Sequence, residues 1–76
     1  MSAADEAETL LRRRASLLRR IERVNATISQ WHEIEANEAL PEDLRREVPR
    51  PELSLEACGA LHRMLREELT RLEGSK

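Results

Sequence analysis

One cysteine, Cys58, stands in the chain, so no internal disulfide can staple it. Phenylalanine and tyrosine are absent, and Trp31 is the sole aromatic residue. Sheet and sandwich cores draw on aromatic and β-branched side chains, which argues against an all-β architecture. The glycines are Gly59 and Gly74, and the prolines are Pro41, Pro49 and Pro51, so residues 7–35 contain no helix breaker. No apolar run approaches the ~20 residues of a membrane span. The first residues are small and acidic and lack the basic start and apolar run of a signal peptide. These absences predict a soluble cytoplasmic protein with a reduced thiol.

Chemistry is also missing. No phosphate-binding loop, no triad and no Cys/His cluster appears. A chain of 76 residues is too short to enclose a pocket of ~300 Å³ or more. The expectation is therefore no enzyme, no catalytic residue, no cofactor, no metal and no small-molecule substrate.

What remains is helix-forming material. Leu, Ala, Glu and Arg dominate, all good helix formers. Hydrophobic residues make up 39% and charged residues 37%, with a net charge of −2, so bulk charge names no partner. The fold predicted is all-α: one small domain over 1–76, a helical hairpin of a long N-terminal helix, a short helical elbow and a C-terminal helix. Chains this short bury only about 60% of the surface their unfolded form exposes. Completion by a partner or by self-association is expected on that ground.

The long helix is predicted over about 5–35. From Leu17 through Ile21, Val24, Ile28 and Trp31 the apolar steps are four, three, four and three, which places them on one helical side. Leu10, Leu17, Val24 and Trp31 also repeat every seven residues, with Ile21 and Ile28 at the intervening seam position and Arg14 and Glu35 at its ends, as in a coiled coil. Leu11 and Leu18 widen the stripe, which favours a hairpin or bundle over a strict two-position seam. Ser2 or Asp5 is the expected cap, with residues 1–4 frayed.

Leu40, Leu44 and Val48 recur every four residues, so a short helix is expected over about 41–48, opened by Pro41 and stopped by Pro49 and Pro51. Ser54 is the natural N-cap of a final helix over about 54–73, with Gly74 its expected C′ residue. Cys58, Leu61, Leu65, Leu69 and Leu72 line one side of it, with Met64 beside them. Gly59 costs about 1 kcal/mol of helix propensity relative to Ala, so a close helix approach at residues 58–60 is expected to compensate. The final helix is several turns shorter than the first. Folded back, it covers the part from Leu17 to Trp31 and leaves the segment around Leu10 and Leu11 overhanging.

Few polar residues carry a functional signal. His32 and Glu35 lie three apart on one face, and Glu33 and His62 could join them, but acidic residues are abundant and the match to a metal site is weak. Cys58 fits a buried small hydrophobe better than a catalytic thiol, since only His62, four residues on, hints at a base. Asn25-Ala26-Thr27 matches a glycosylation sequon without a secretory signal to use it. Asn25 borders the seam, where a polar residue can set register. Arg12, Arg13, Arg14, Arg19, Arg20 and Arg23 make a basic segment able to meet phosphates. Near neutrality overall, with no stacking aromatics and with acids close behind, it suits an acidic protein surface better. Trp31 is either a binding anchor or filler between the first helix and the elbow.

The function expected is a non-catalytic protein–protein interaction module: a small adaptor, a chaperone-like partner or a subunit of a larger complex. Leu10, Leu11, Arg13, Arg14, Leu17, Leu18, Arg20, Ile21 and Trp31 are the expected partner-binding residues. The partner is another protein chain, with a heteromer favoured and a homo-oligomeric helical bundle or coiled coil the alternative. A nucleic-acid-associated regulator using the arginine-rich first helix is the third class. In helix order and size the chain resembles the small helical-hairpin chaperones that guard needle subunits in type III secretion. That resemblance implies a helical hairpin which shields a partner, and no motif residue carries it.

Overall fold

A computed structural model describes residues 2–74. Among these, α1 runs Ala3–Glu38, a single 3-10 turn covers Glu42–Leu44, α2 runs Leu55–Gly74, and no strand is present. The chain is a helical hairpin of principal extents 63 × 16 × 15 Å.

α1 starts earlier than the acidic cluster alone suggests. Ser2 is its N-cap and its Oγ accepts from the Asp5 N–H at 3.3 Å. Asp5 and Glu6 fill the first turn, where their charge favours the positive end of the helix dipole. Residues 3 and 4, expected to fray, are therefore helical, and Met1 lies outside the described residues. The helix ends at Glu38, with Ala39 still donating to the Glu35 carbonyl at 3.1 Å. Pro41 then blocks continuation, having no N–H and pushing Leu40 away from helical geometry.

The two helices run antiparallel. The Trp31 indole N–H donates to the Leu53 carbonyl at 2.8 Å, just before α2 begins. At the other end Arg14 Nε meets Glu73 Oε1 at 3.2 Å, near the end of α2. Between these points Ile21 and Val24 of α1 and Cys58 and Leu65 of α2 form the buried cluster, with Leu17, Ile28, Leu61 and Leu69 packed against it. α1 is 36 residues long and α2 is 20; at 1.5 Å per residue that is about 54 and 30 Å. Residues 3–13 of α1 therefore project beyond α2 by about 16 Å.

The elbow differs from expectation. The helix predicted over 41–48 is only the 3-10 turn Glu42–Leu44. The cause lies in Asn37. Its Nδ2 donates to the Arg46 carbonyl at 2.6 Å, and its Oδ1 accepts from the Arg46 N–H at 2.9 Å. That N–H is thus taken away from the helical ladder, and Arg45 is already extended. Arg50 then pairs with Glu38 at 2.8 Å. Residues 45–54 form an extended strap lying back along the last turns of α1, held at Asn37, Glu38 and Trp31. Ile34, which falls off the main stripe, is buried on the same stretch of helix.

Two expectations about α2 are corrected. Ser54 does cap it, its Oγ accepting from Ala57 N–H at 3.1 Å, but Gly74 is its last helical residue and not a left-handed C′ residue, since no glycine has positive φ among the described residues. Gly59 is exposed, and a Cβ added there would meet nothing within 4 Å, so within the chain no close helix approach explains it. Met64 points to solvent, 63% exposed. Among the described residues, no helix is long and apolar enough to cross a membrane.

With so few buried side chains, each counts heavily. Leu65→Ala is expected to cost about 2–5 kcal/mol, comparable to the ~3–5 kcal/mol a core of this size supplies; circular dichroism at 25 °C should then show loss of most helix. Gly59→Ala should act the other way. On an open helical site it is expected to add about 0.5–1 kcal/mol, read as a higher urea midpoint with an unchanged slope.

Candidate functional site

The residues expected to bind a partner divide into three groups. Leu10 and Leu11 lie on the overhang, 41% and 65% exposed. Arg13 and Arg20 are exposed on the wall of a groove between the helices. The others serve the hairpin itself. Ile21 is buried in the interhelical cluster, and Leu17 packs against it. Trp31 is half-buried and tied to Leu53, which is its elbow-filling role and not that of a free anchor. Arg14 is exposed but paired with Glu73. Leu18 is half-buried. Of the nine, Ile21 is therefore withdrawn from the surface, because the hairpin spends the centre of the stripe on its own second helix.

The groove is the feature that sequence reading missed. It begins at Arg13, Ser16, Leu17 and Arg20 of α1 opposite Glu68, Arg71 and Leu72 of α2. Past Arg20 it continues along Arg23, Val24 and Thr27 of α1, with Leu61 and Leu65 on α2 and Leu53 of the strap at its head. Its floor is leucine and valine. Its walls carry Arg13, Arg20, Arg23 and Arg71 against the single acid Glu68 among the described residues. The groove exists because two helices touch along one line and leave a furrow on each flank. On this flank the strap fills the furrow beside Trp31 and ends at Leu53; below that the furrow is open. On the other flank the Arg14–Glu73 pair spans the two helices near the tip.

Sequence periodicity could place the α1 arginines on a helix but could not say which of them face α2. That depends on the rotation of α1 about its axis, which the strap and the buried cluster fix. Asn37 carried a legible signal: a side-chain amide can donate and accept at once, so an Asn just before a proline-ended helix is a candidate clamp.

Cys58 is fully buried, 0% exposed. His32 Nδ1 lies 3.8 Å from Glu35 Oε2 on the exposed surface, and His62 is half-buried on α2. Among the described residues no group of three or more His, Cys, Asp or Glu side chains gathers in a way that could hold a metal ion. Asn25 is exposed.

A scan against protein-family models, a search of curated proteins and a search of solved structures each return no match.

The strap determines where the groove ends, so loosening it should lengthen the groove without unfolding the hairpin. Asn37→Ala removes two hydrogen bonds worth about 1 kcal/mol each. Hydrogen exchange at the Arg46 amide is expected to speed up by about tenfold or more, while amides in the middle of α1 keep their protection.

Proposed function

We propose that this chain is a non-catalytic protein–protein interaction module, a small adaptor, chaperone-like partner or complex subunit that binds another chain through helical surface its own second helix leaves uncovered. The observation that carries this reading is the exposure of Leu10 and Leu11 on a helical segment that projects about 16 Å past the end of α2. An isolated projecting helix of two or three turns gains little from propensity alone. Packing against another surface supplies the missing stabilisation.

The groove supports the same reading. Apolar floors rimmed by charge suit an amphipathic helix, whose large side chains fill the floor while opposite charges on its flanks meet the rim. Nucleic acid is the weaker fit. Single-stranded binding uses aromatic platforms, and the sole aromatic ring, Trp31, is engaged with the strap. The arginines border a leucine floor instead of forming a wholly polar track.

Light scattering coupled to native purification tests this. The wild-type chain is expected to elute in a complex well above its own 8.8 kDa. The pair Leu10→Lys and Leu11→Lys, both on exposed helix, should elute at the monomer mass, still helical at 25 °C but with a lower melting temperature, because the partner's stabilisation is lost. A wild-type chain that elutes as a folded monomer holding no other protein overturns the proposal.

A further inference from the structure

We propose that the open groove is filled by the acidic overhang of a second copy of this chain, so that two hairpins complete one another reciprocally. This rests on the protein–protein reading above and names the partner.

The two surfaces match in charge. The outer part of the overhang, residues 3–11, carries Asp5, Glu6 and Glu8 and no basic residue, and Arg12 and Arg13 stand at its base. The groove wall carries Arg13, Arg20 and Arg23 along α1. Within one molecule these oppositely charged segments are consecutive parts of a single straight helix and cannot meet. A second copy lets them meet.

They match in shape. On the overhang Ala3, Ala7 and Leu10 follow steps of four and three and continue the line of the interhelical stripe, with Ala4 and Leu11 flanking it. Small side chains at most of these positions allow close approach to a groove floored by Leu17, Val24 and Leu65. Glu6 borders that stripe, three residues after Ala3 and four before Leu10, where rim charges of the opposite sign can reach it. Glu8, on the outer face, bridges to Arg12 at 2.8 Å within its own helix, an exposed pair worth little.

They match in length and position. The overhang is about 16 Å long, and the open groove from Arg13 to Thr27 is about 21 Å. The overhang starts where the groove starts, at the end of α2. Two chains laid side by side in opposite directions, with a two-fold axis near Ala15, therefore bring each overhang onto the other's groove at once. That register sets Leu10 of one copy at the level of Arg20 of the other, and Asp5 and Glu6 near the level of Arg23. The contact is isologous and closes on itself, and each end of the pair becomes a three-helix bundle. The strap already covers the groove beside Trp31, so the length left open is close to the length of the segment that fills it.

Charge reversal on each side tests the pairing. One variant carries Asp5→Lys and Glu6→Lys; the other carries Arg20→Glu and Arg23→Glu. All four positions are exposed, and circular dichroism checks that each variant keeps its helix. Sedimentation equilibrium should give twice 8.8 kDa for the wild type, association about tenfold weaker or worse for each variant alone, and recovery of the pair when the two variants are mixed. Raised salt should weaken the wild-type pair. A dimer that survives either reversal, or reversed variants that fail to recover on mixing, overturns the proposal. A wild-type chain that is monomeric yet holds a different protein through Leu10 and Leu11 also overturns it and leaves the interaction-module reading standing. A monomer that holds no protein overturns both.

Discussion

The contact between Ile21 and Val24 on one helix and Cys58 and Leu65 on the other is what the rest of the molecule depends on. Two helices can bury only the strip along which they touch. Every other apolar side chain has to be covered by a connecting segment, left half-buried in a furrow, or left in water. α1 is 36 residues and α2 is 20, so the strip is bounded by the shorter helix, and its bounds set where the strap, the groove and the overhang fall.

The strap handles one end of the longer helix with polar bonds. Asn37 grips Arg46 by both its donor and its acceptor, Glu38 pairs with Arg50, and Trp31 donates to Leu53. In a chain with a single aromatic ring and no disulfide, these fix the connecting segment where apolar contact alone is thin. They also orient α1 about its axis. Once Trp31, Ile34 and Glu38 face the strap, the residues one, two and three heptads before Ile34, namely Thr27, Arg20 and Arg13, face the same flank. The polar clamps at one end and the basic groove at the other are thus one geometric fact.

Charge is sorted along α1 in a way that bulk composition conceals. Behind the whole chain's net charge of −2, α1 has an acidic first stretch, an arginine-rich middle and an acidic last third. Acids at the start favour the helix dipole. The arginines in the middle gain no such benefit, and most are spread around exposed helix. Those on the strap-bearing flank acquire a shared setting only because α2 runs beside them and supplies Leu61, Leu65 and Leu72 as a floor between the walls.

Much of this architecture is legible in the residues. The step pattern from Leu17 to Trp31 identifies the first helix, the leucine spacing from Leu61 to Leu72 identifies the last, and their unequal lengths imply an overhang at Leu10 and Leu11. Helical periodicity is a local property, so the sequence by itself determined which segments are helical and which side of each is apolar. The elbow was not legible, because its shape depends on Asn37 reaching Arg46 across nine positions. The packing of Gly59 was misjudged for a related reason: helix propensity registers its cost, but its surroundings depend on which way α2 is rotated. Ile21 and Trp31 looked as available as Leu10 and Leu11 until the second helix and the strap were placed over them. The tertiary structure alone decided which apolar and basic residues share an open furrow, since that depends on the relative rotation and register of two helices, and neither is encoded in the spacing within either one.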